Sequence, residues 1–146
     1  MASIEDLQGA VGRELEASDW FLIDQARVDS FAQTTLDFSP THVDVEGSAP
    51  LGGTTAHGML LLSLLPALAS AHVDLPAGCT IGLNYGFDRV RFITPVRVGK
   101  RVRLRATLAS FSKHNEVFWK KTLATTMDIE DEPRPAFYAD WTIIYR

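Results

Sequence analysis

The chain is predicted to fold as an α+β protein, a curved antiparallel β-sheet wrapped around a central apolar α-helix. Two observations predict this. Residues 59–71, Met-Leu-Leu-Leu-Ser-Leu-Leu-Pro-Ala-Leu-Ala-Ser-Ala, are apolar on almost every side, and a helix without a polar face must be covered by other structure. Four later segments, residues 80–92, 101–110, 116–128 and 136–145, are rich in β-branched and aromatic residues and separated by turn signals, which reads as antiparallel strands. Four long strands after one apolar helix close around it.

The elements follow in order. Ser3-Ile4-Glu5-Asp6 has capping-box spacing and predicts a short, peripheral helix over residues 4–10, before Gly12. Trp20-Phe21-Leu22-Ile23 is a brief apolar run ending at Asp24, which can cap a second helix facing inward with Val28, Phe31, Ala32 and Leu36. That helix delivers Asp37 at its C-terminal end. Pro40 biases Ser39 away from the helical region, so the chain must turn between Asp37 and His42, and their side chains can share one space. Residues 46–53 are rich in Gly, Ser, Ala and Pro and read as a surface loop. Pro66 is expected to kink or end the apolar helix. Pro95 and Gly99, Lys113-His114-Asn115, and residues 131–135 mark the breaks between strands.

At 146 residues the chain suits a single domain, residues 1–146, with a genuine core. Fourteen Lys and Arg against 18 Asp and Glu give a formal charge of −4, and no basic run suggests a nucleic-acid partner. The arginines from Arg89 to Arg105 alternate with apolar residues, which reads first as a solvated strand face. The alternative is a docking surface for the phosphates of an anionic carrier. The single cysteine, Cys79, excludes an internal disulfide and a cysteine-based zinc cage and suits a core thiol in a reducing compartment. The N-terminus lacks the order of a signal peptide, and residues 59–71 fall short of the roughly 20 needed to span a bilayer. A cytoplasmic protein with no membrane partner is expected.

Three segments carry a resemblance. Asp37-Phe38-Ser39-Pro40-Thr41-His42-Val43-Asp44, Ala56-His57-Gly58-Met59, and the stretch from Asn84 to Phe92 followed by Pro95-Val96-Arg97-Val98-Gly99 resemble the MaoC-like (R)-specific enoyl-CoA hydratases of the hotdog fold, most closely their nodulation-protein-N-like branch. The likeness runs from about Gly12 to Tyr145. Two departures stand out: Ser39 where the family's motif most often has Asn before the proline, and Leu36 where it has Gly before the aspartate.

The resemblance implies reversible hydration of a trans-2-enoyl thioester to the (R)-3-hydroxyacyl thioester, with coenzyme A as part of the substrate and no other cofactor. Such a reaction needs a base for water, a proton for the α-carbon, and stabilisation of charge on the thioester oxygen. Asp37 and His42 are expected to supply the first two, since a carboxylate and an imidazole sharing one water can exchange acceptor and donor roles. Backbone N–H groups at the start of the apolar helix are expected to supply the third, at Gly58, where a missing side chain lets the thioester approach. His57 and Asn84 complete the expected substrate-binding set; His57 also reads as packing at the helix start, and Asn84 either lines the pocket or satisfies buried backbone. Without the resemblance, Asp37 reads as a turn cap and His42 as a satisfied histidine. No metal is expected, because His42, His57, His72 and His114 form no close pair at ligand spacing. Two rival functions are a hotdog acyl-CoA thioesterase, which the absence of Asp or Glu between Gly58 and Ala71 disfavours, and a non-catalytic or partner-dependent dehydratase subunit, which the presence of both Asp37 and His42 disfavours. A sheet of four or five strands leaves an open edge, so a homodimer with an acyl tunnel near its boundary is expected.

Overall fold

The computed structural model describes residues 2–146. Helix α1, Ile4–Gly9, is capped by Ser3 in a complete capping box with Asp6. After a loop, strand β1, Phe21–Leu22, leads to helix α2, Gln25–Thr35, whose N-cap Asp24 accepts a bond from the Arg27 N–H. Short helices α3, Pro40–Val43, and α4, Val45–Ser48, and a 3₁₀ turn, Ala49–Leu51, fill the stretch before the central helix. Residues 46–53 therefore hold helical turns where composition predicted only loop.

The central helix is broken into α5, Gly58–Ser63, and α6, Leu65–Leu68, followed by a 3₁₀ turn, Ser70–His72. The break falls at Leu64, two residues before Pro66, whose ring nitrogen has no hydrogen for the Leu62 carbonyl. Leu60, Leu61, Leu62, Leu64, Leu65 and Ala69 are buried. Coverage is nevertheless incomplete: Met59 is 61% exposed, so one side of the helix stays open where full wrapping was expected.

Strands β2, Gly82–Phe92, β3, Arg101–Lys113, β4, Trp119–Ile129, and β5, Phe137–Tyr145, join β1 in one antiparallel sheet of the order β1-β3-β4-β5-β2. This is the expected α+β hotdog architecture. The inner face carries Leu123, Met127, Phe137, Trp141 and Tyr145, all buried in one core with the central helix, Ile23 and Val28. Cys79, a free thiol, packs partly buried against that core. On the outer face the arginines of β3 are matched by acids: Arg101 pairs with Glu130, and Arg103 and Arg105 share Asp128. This charge balance is that of a solvated strand face. Among the described residues no helix is long and apolar enough to cross a membrane.

Candidate active site

Helix α2 ends in a reversal. Leu36 takes φ 62°, ψ 23°, a left-handed conformation that costs a side-chain-bearing residue about 1–2 kcal/mol and that glycine adopts freely. This explains what a glycine does at that place in the motif, and Leu36 keeps the conformation without it. The predicted inward face is corrected accordingly: Val28 and Ala32 are buried and Phe31 partly so, but Leu36 is 79% exposed. The reversal turns Asp37 back toward the helix start at Gly58.

Asp37 lies at the surface, its side chain 48% exposed. Ser39 donates to Asp37 Oδ1 through its hydroxyl, at 2.6 Å, and through its N–H, at 3.2 Å. Those two bonds hold the carboxyl below its ordinary range, with slight desolvation opposing them and the His57 and His42 imidazoles adding to them. The departure at Ser39 thus supplies an aspartate partner rather than disturbing the loop.

His42 sits in α3, its ring Nδ1 2.6 Å from the Thr55 carbonyl oxygen. A carbonyl can only accept, so Nδ1 carries a hydrogen, and in the neutral ring Nε2 presents a lone pair. The main chain around it is laced as well. Gln25 donates from Nε2 to the His42 carbonyl, at 2.8 Å, and to Asp29, at 2.7 Å, while Thr54 donates to Gln25 Oε1, at 2.5 Å. Thr55 N–H donates to the Thr41 carbonyl and Ala56 N–H to that of Val96. Gln25 and Thr55 carry no motif signature, and nothing in the sequence singled them out.

A cavity of about 390 Å³ opens beside His42, lined by Thr55, Ala56, Gly58, Met59, Leu61 and residues 92–96. Gly58 lines it, and a steric need for glycine there stands beside the expected approach of the thioester. A Cβ there would meet the Phe92 ring at 2.8 Å, so the missing side chain makes room for Phe92. The Gly58 N–H, at the first position of α5, has no acceptor within the helix.

His57 does not line the cavity; it is 3% exposed and lies behind His42. Asn84 is also elsewhere. Asn84 pairs with Ile143 just before an irregularity in β2, and its Oδ1 accepts from the Trp141 indole at 3.0 Å. There it lines a separate apolar groove of about 350 Å³ with Met59, Ser63, Pro66 and Phe87. A further cavity of about 340 Å³, between residues 16–21 and 67–72, has one histidine, His72, which is tied through Nε2 to the Glu16 carbonyl.

The fold does what sequence spacing gave no sign of: His42 and His57 stack at 3.8 Å with their planes 29° apart. With Asp37 they offer three ligand atoms within 4.8 Å of one another. Stacked rings aim their in-plane lone pairs side by side rather than at one point, and one nitrogen of each faces a carbonyl. The arrangement suits proton transfer better than chelation of an ion.

Fold and site together define a hotdog protein with an imidazole on the wall of a largely apolar cavity and a carboxylate grouped with it, though Asp37 itself does not line that cavity. Residues 6–132 match the family described as MaoC like domain. Nodulation protein N of Rhizobium leguminosarum bv. viciae is 42% identical over 145 residues, covering 97% of this chain and 90% of its own. The 3-hydroxyacyl-thioester dehydratase Z of Mycobacterium tuberculosis (strain ATCC 25618 / H37Rv) is 37% identical over 145 residues, covering 98% and 95%. Among solved structures, the R-hydratase PhaJ1 of Pseudomonas aeruginosa shares the fold with a TM-score of 0.75 at 21% identity, over 98% of this chain and 84% of that one. The chain belongs to the MaoC-like dehydratase family, in its nodulation-protein-N-like branch. It is accordingly an enzyme of the hydro-lyase kind, acting in hydration or dehydration.

Proposed function

We propose that the protein catalyses the reversible, (R)-specific hydration of trans-2-enoyl-CoA to (R)-3-hydroxyacyl-CoA, with Asp37 and His42 as its acid–base pair. The observation that carries this reading is that a ring nitrogen of His42 and a carboxylate oxygen of Asp37 lie within 4.8 Å of one another, while the Nδ1–Thr55 carbonyl bond leaves Nε2 of the neutral ring as an acceptor. A water donating to both acceptors is held with its oxygen free to attack C3. As the C3–O bond forms, one member of the pair takes the proton and passes it to C2, so that water adds and neither residue is changed. The Gly58 N–H is the donor assigned to the thioester oxygen, where negative charge develops. Coenzyme A enters as part of the substrate, and the scheme needs no metal.

The test is the loss of enoyl absorbance when purified protein meets crotonyl-CoA and longer trans-2-enoyl-CoAs. Asp37→Asn and His42→Ala are each expected to lower kcat by about 100-fold or more, the usual share of a positioned acid or base. Turnover that survives both substitutions, or a folded protein inactive at every chain length, rejects the assignment.

The proposal includes a homodimer. Among the described residues strand β2 has β5 on one side and no neighbour on the other, and Leu83, Tyr85 and Phe87 in it, with Ile81 just before it, are 44%, 56%, 42% and 44% exposed. An apolar edge of this length invites pairing with a second copy, which would also cover the open side of α5. Light scattering at micromolar concentration should give twice the 16.1 kDa chain mass; the chain mass itself would refute the dimer.

A further inference from the structure

We infer that His57 is a positioning residue that sets Asp37 against His42, acting through its Nε2–H on the Asp37 backbone. The inference rests on the acid–base reading of that pair.

The geometry is specific. His57 Nε2 is 3.0 Å from the Asp37 carbonyl oxygen and 3.9 Å from Oδ2, so the hydrogen bond is to the main chain and the carboxylate stays free. A carbonyl accepts, so Nε2 carries a hydrogen, and in the neutral ring Nδ1 is a bare lone pair. That Nδ1 is buried with no partner among the described residues. A buried unsatisfied acceptor is costly, and a phenylalanine or leucine would fill the same volume without one. Packing alone therefore gives no reason for a histidine here. The Nε2–H bond does, because it ties the residue after the Leu36 reversal to the residue before α5. The same ring is stacked on His42 and tilted against Phe31 at 5.0 Å, which fixes its plane and hence the direction of its N–H. One buried side chain thus touches both halves of the pair while staying off the cavity wall.

The consequence is a rate effect without a binding effect, since a shift of about 1 Å at reacting groups costs on the order of 100-fold in rate. His57→Phe keeps the stacked plate and removes the donor, whereas His57→Gln keeps a donor near the Nε2 position and removes the ring. In steady-state kinetics with crotonyl-CoA, His57→Phe is expected to lower kcat about 30- to 100-fold with KM within about threefold of wild type. His57→Gln is expected to recover at least about tenfold of that loss. A His57→Phe enzyme within threefold of wild-type kcat, a Gln variant no better than Phe, or a raised KM at unchanged kcat each overturns the inference. If His57→Phe does not fold by circular dichroism, His57→Met, of similar volume and without a donor, takes its place under the same thresholds. Wild-type activity and the Asp37→Asn and His42→Ala variants report separately on the acid–base reading, so a failure of the His57 role is told apart from a failure of that reading.

Discussion

Ser39 reaches Asp37 Oδ1 with both its hydroxyl and its N–H, and the hydroxyl is the larger cause of the lowered carboxyl pKa. Ser39→Ala removes that cause and raises the pKa toward its usual value. An Asp37 that must be ionised to work then loses activity at a higher pH, so the acid limb of the kcat/KM profile moves upward while the plateau above it stays within about tenfold. An unmoved acid limb would show that Asp37 ionisation does not control it. His42 and Asp37 were legible because both stand inside one eight-residue motif whose proline enforces the turn. His57 was legible only as a helix-start residue: its stack on His42 crosses 15 positions and depends on how α3 and α5 meet, which no local pattern encodes. Asn84 was legible only as lining a pocket or satisfying backbone; it lines the groove beside α5 and accepts from the Trp141 indole, a contact across β2 and β5 that no local pattern encodes.

The elements themselves were largely written in the sequence. Strands β2 to β5 fall within three residues of the predicted spans at both ends, since their alternation is long and punctuated by Pro, Gly and Asn. The caps Ser3 and Asp24 act as their residue types foretold. Strand β1 escaped because two residues cannot display a period; it exists through pairing of Phe21 and Leu22 with Val102 and Arg101. The start of α5 offers a test at this scale. Gly58→Ala places a methyl against the Phe92 ring, and relieving that contact is expected to cost about 1–3 kcal/mol in denaturant unfolding. Phe92→Leu added to Gly58→Ala should recover part of the loss, because the two changes share one contact. Equal losses with and without the second change would mean that the Phe92 contact is not what requires glycine.

Across the whole molecule, the last strand closes the core with Tyr145, whose hydroxyl is buried without a hydrogen-bond partner among the described residues. Burial first, then the nearby Cys79 and Asp74, push its pKa up to about 12. With the folded value raised above the ordinary 10, the protonated phenol favours the folded state, fully so below pH 10 and progressively less as pH rises toward 12. Tyr145→Phe should therefore be at least as stable as wild type at pH 7, because it removes an unpaired hydroxyl. Its advantage should widen between pH 10 and 12, read from denaturant midpoints; a gap that narrows over that interval contradicts the assignment. A different consequence follows from the way the cavity loop is gripped. Gln25 and His57 hold the carbonyl oxygens of residues 42 and 37, not their side chains. Those main-chain atoms survive when Asp37 becomes Asn and His42 becomes Ala. Asp37→Asn alone, which leaves the His42 ring on the cavity wall and stacked on His57, would keep that wall while slowing turnover, and could serve as a trap that holds thioesters long enough to report which acyl chains fit.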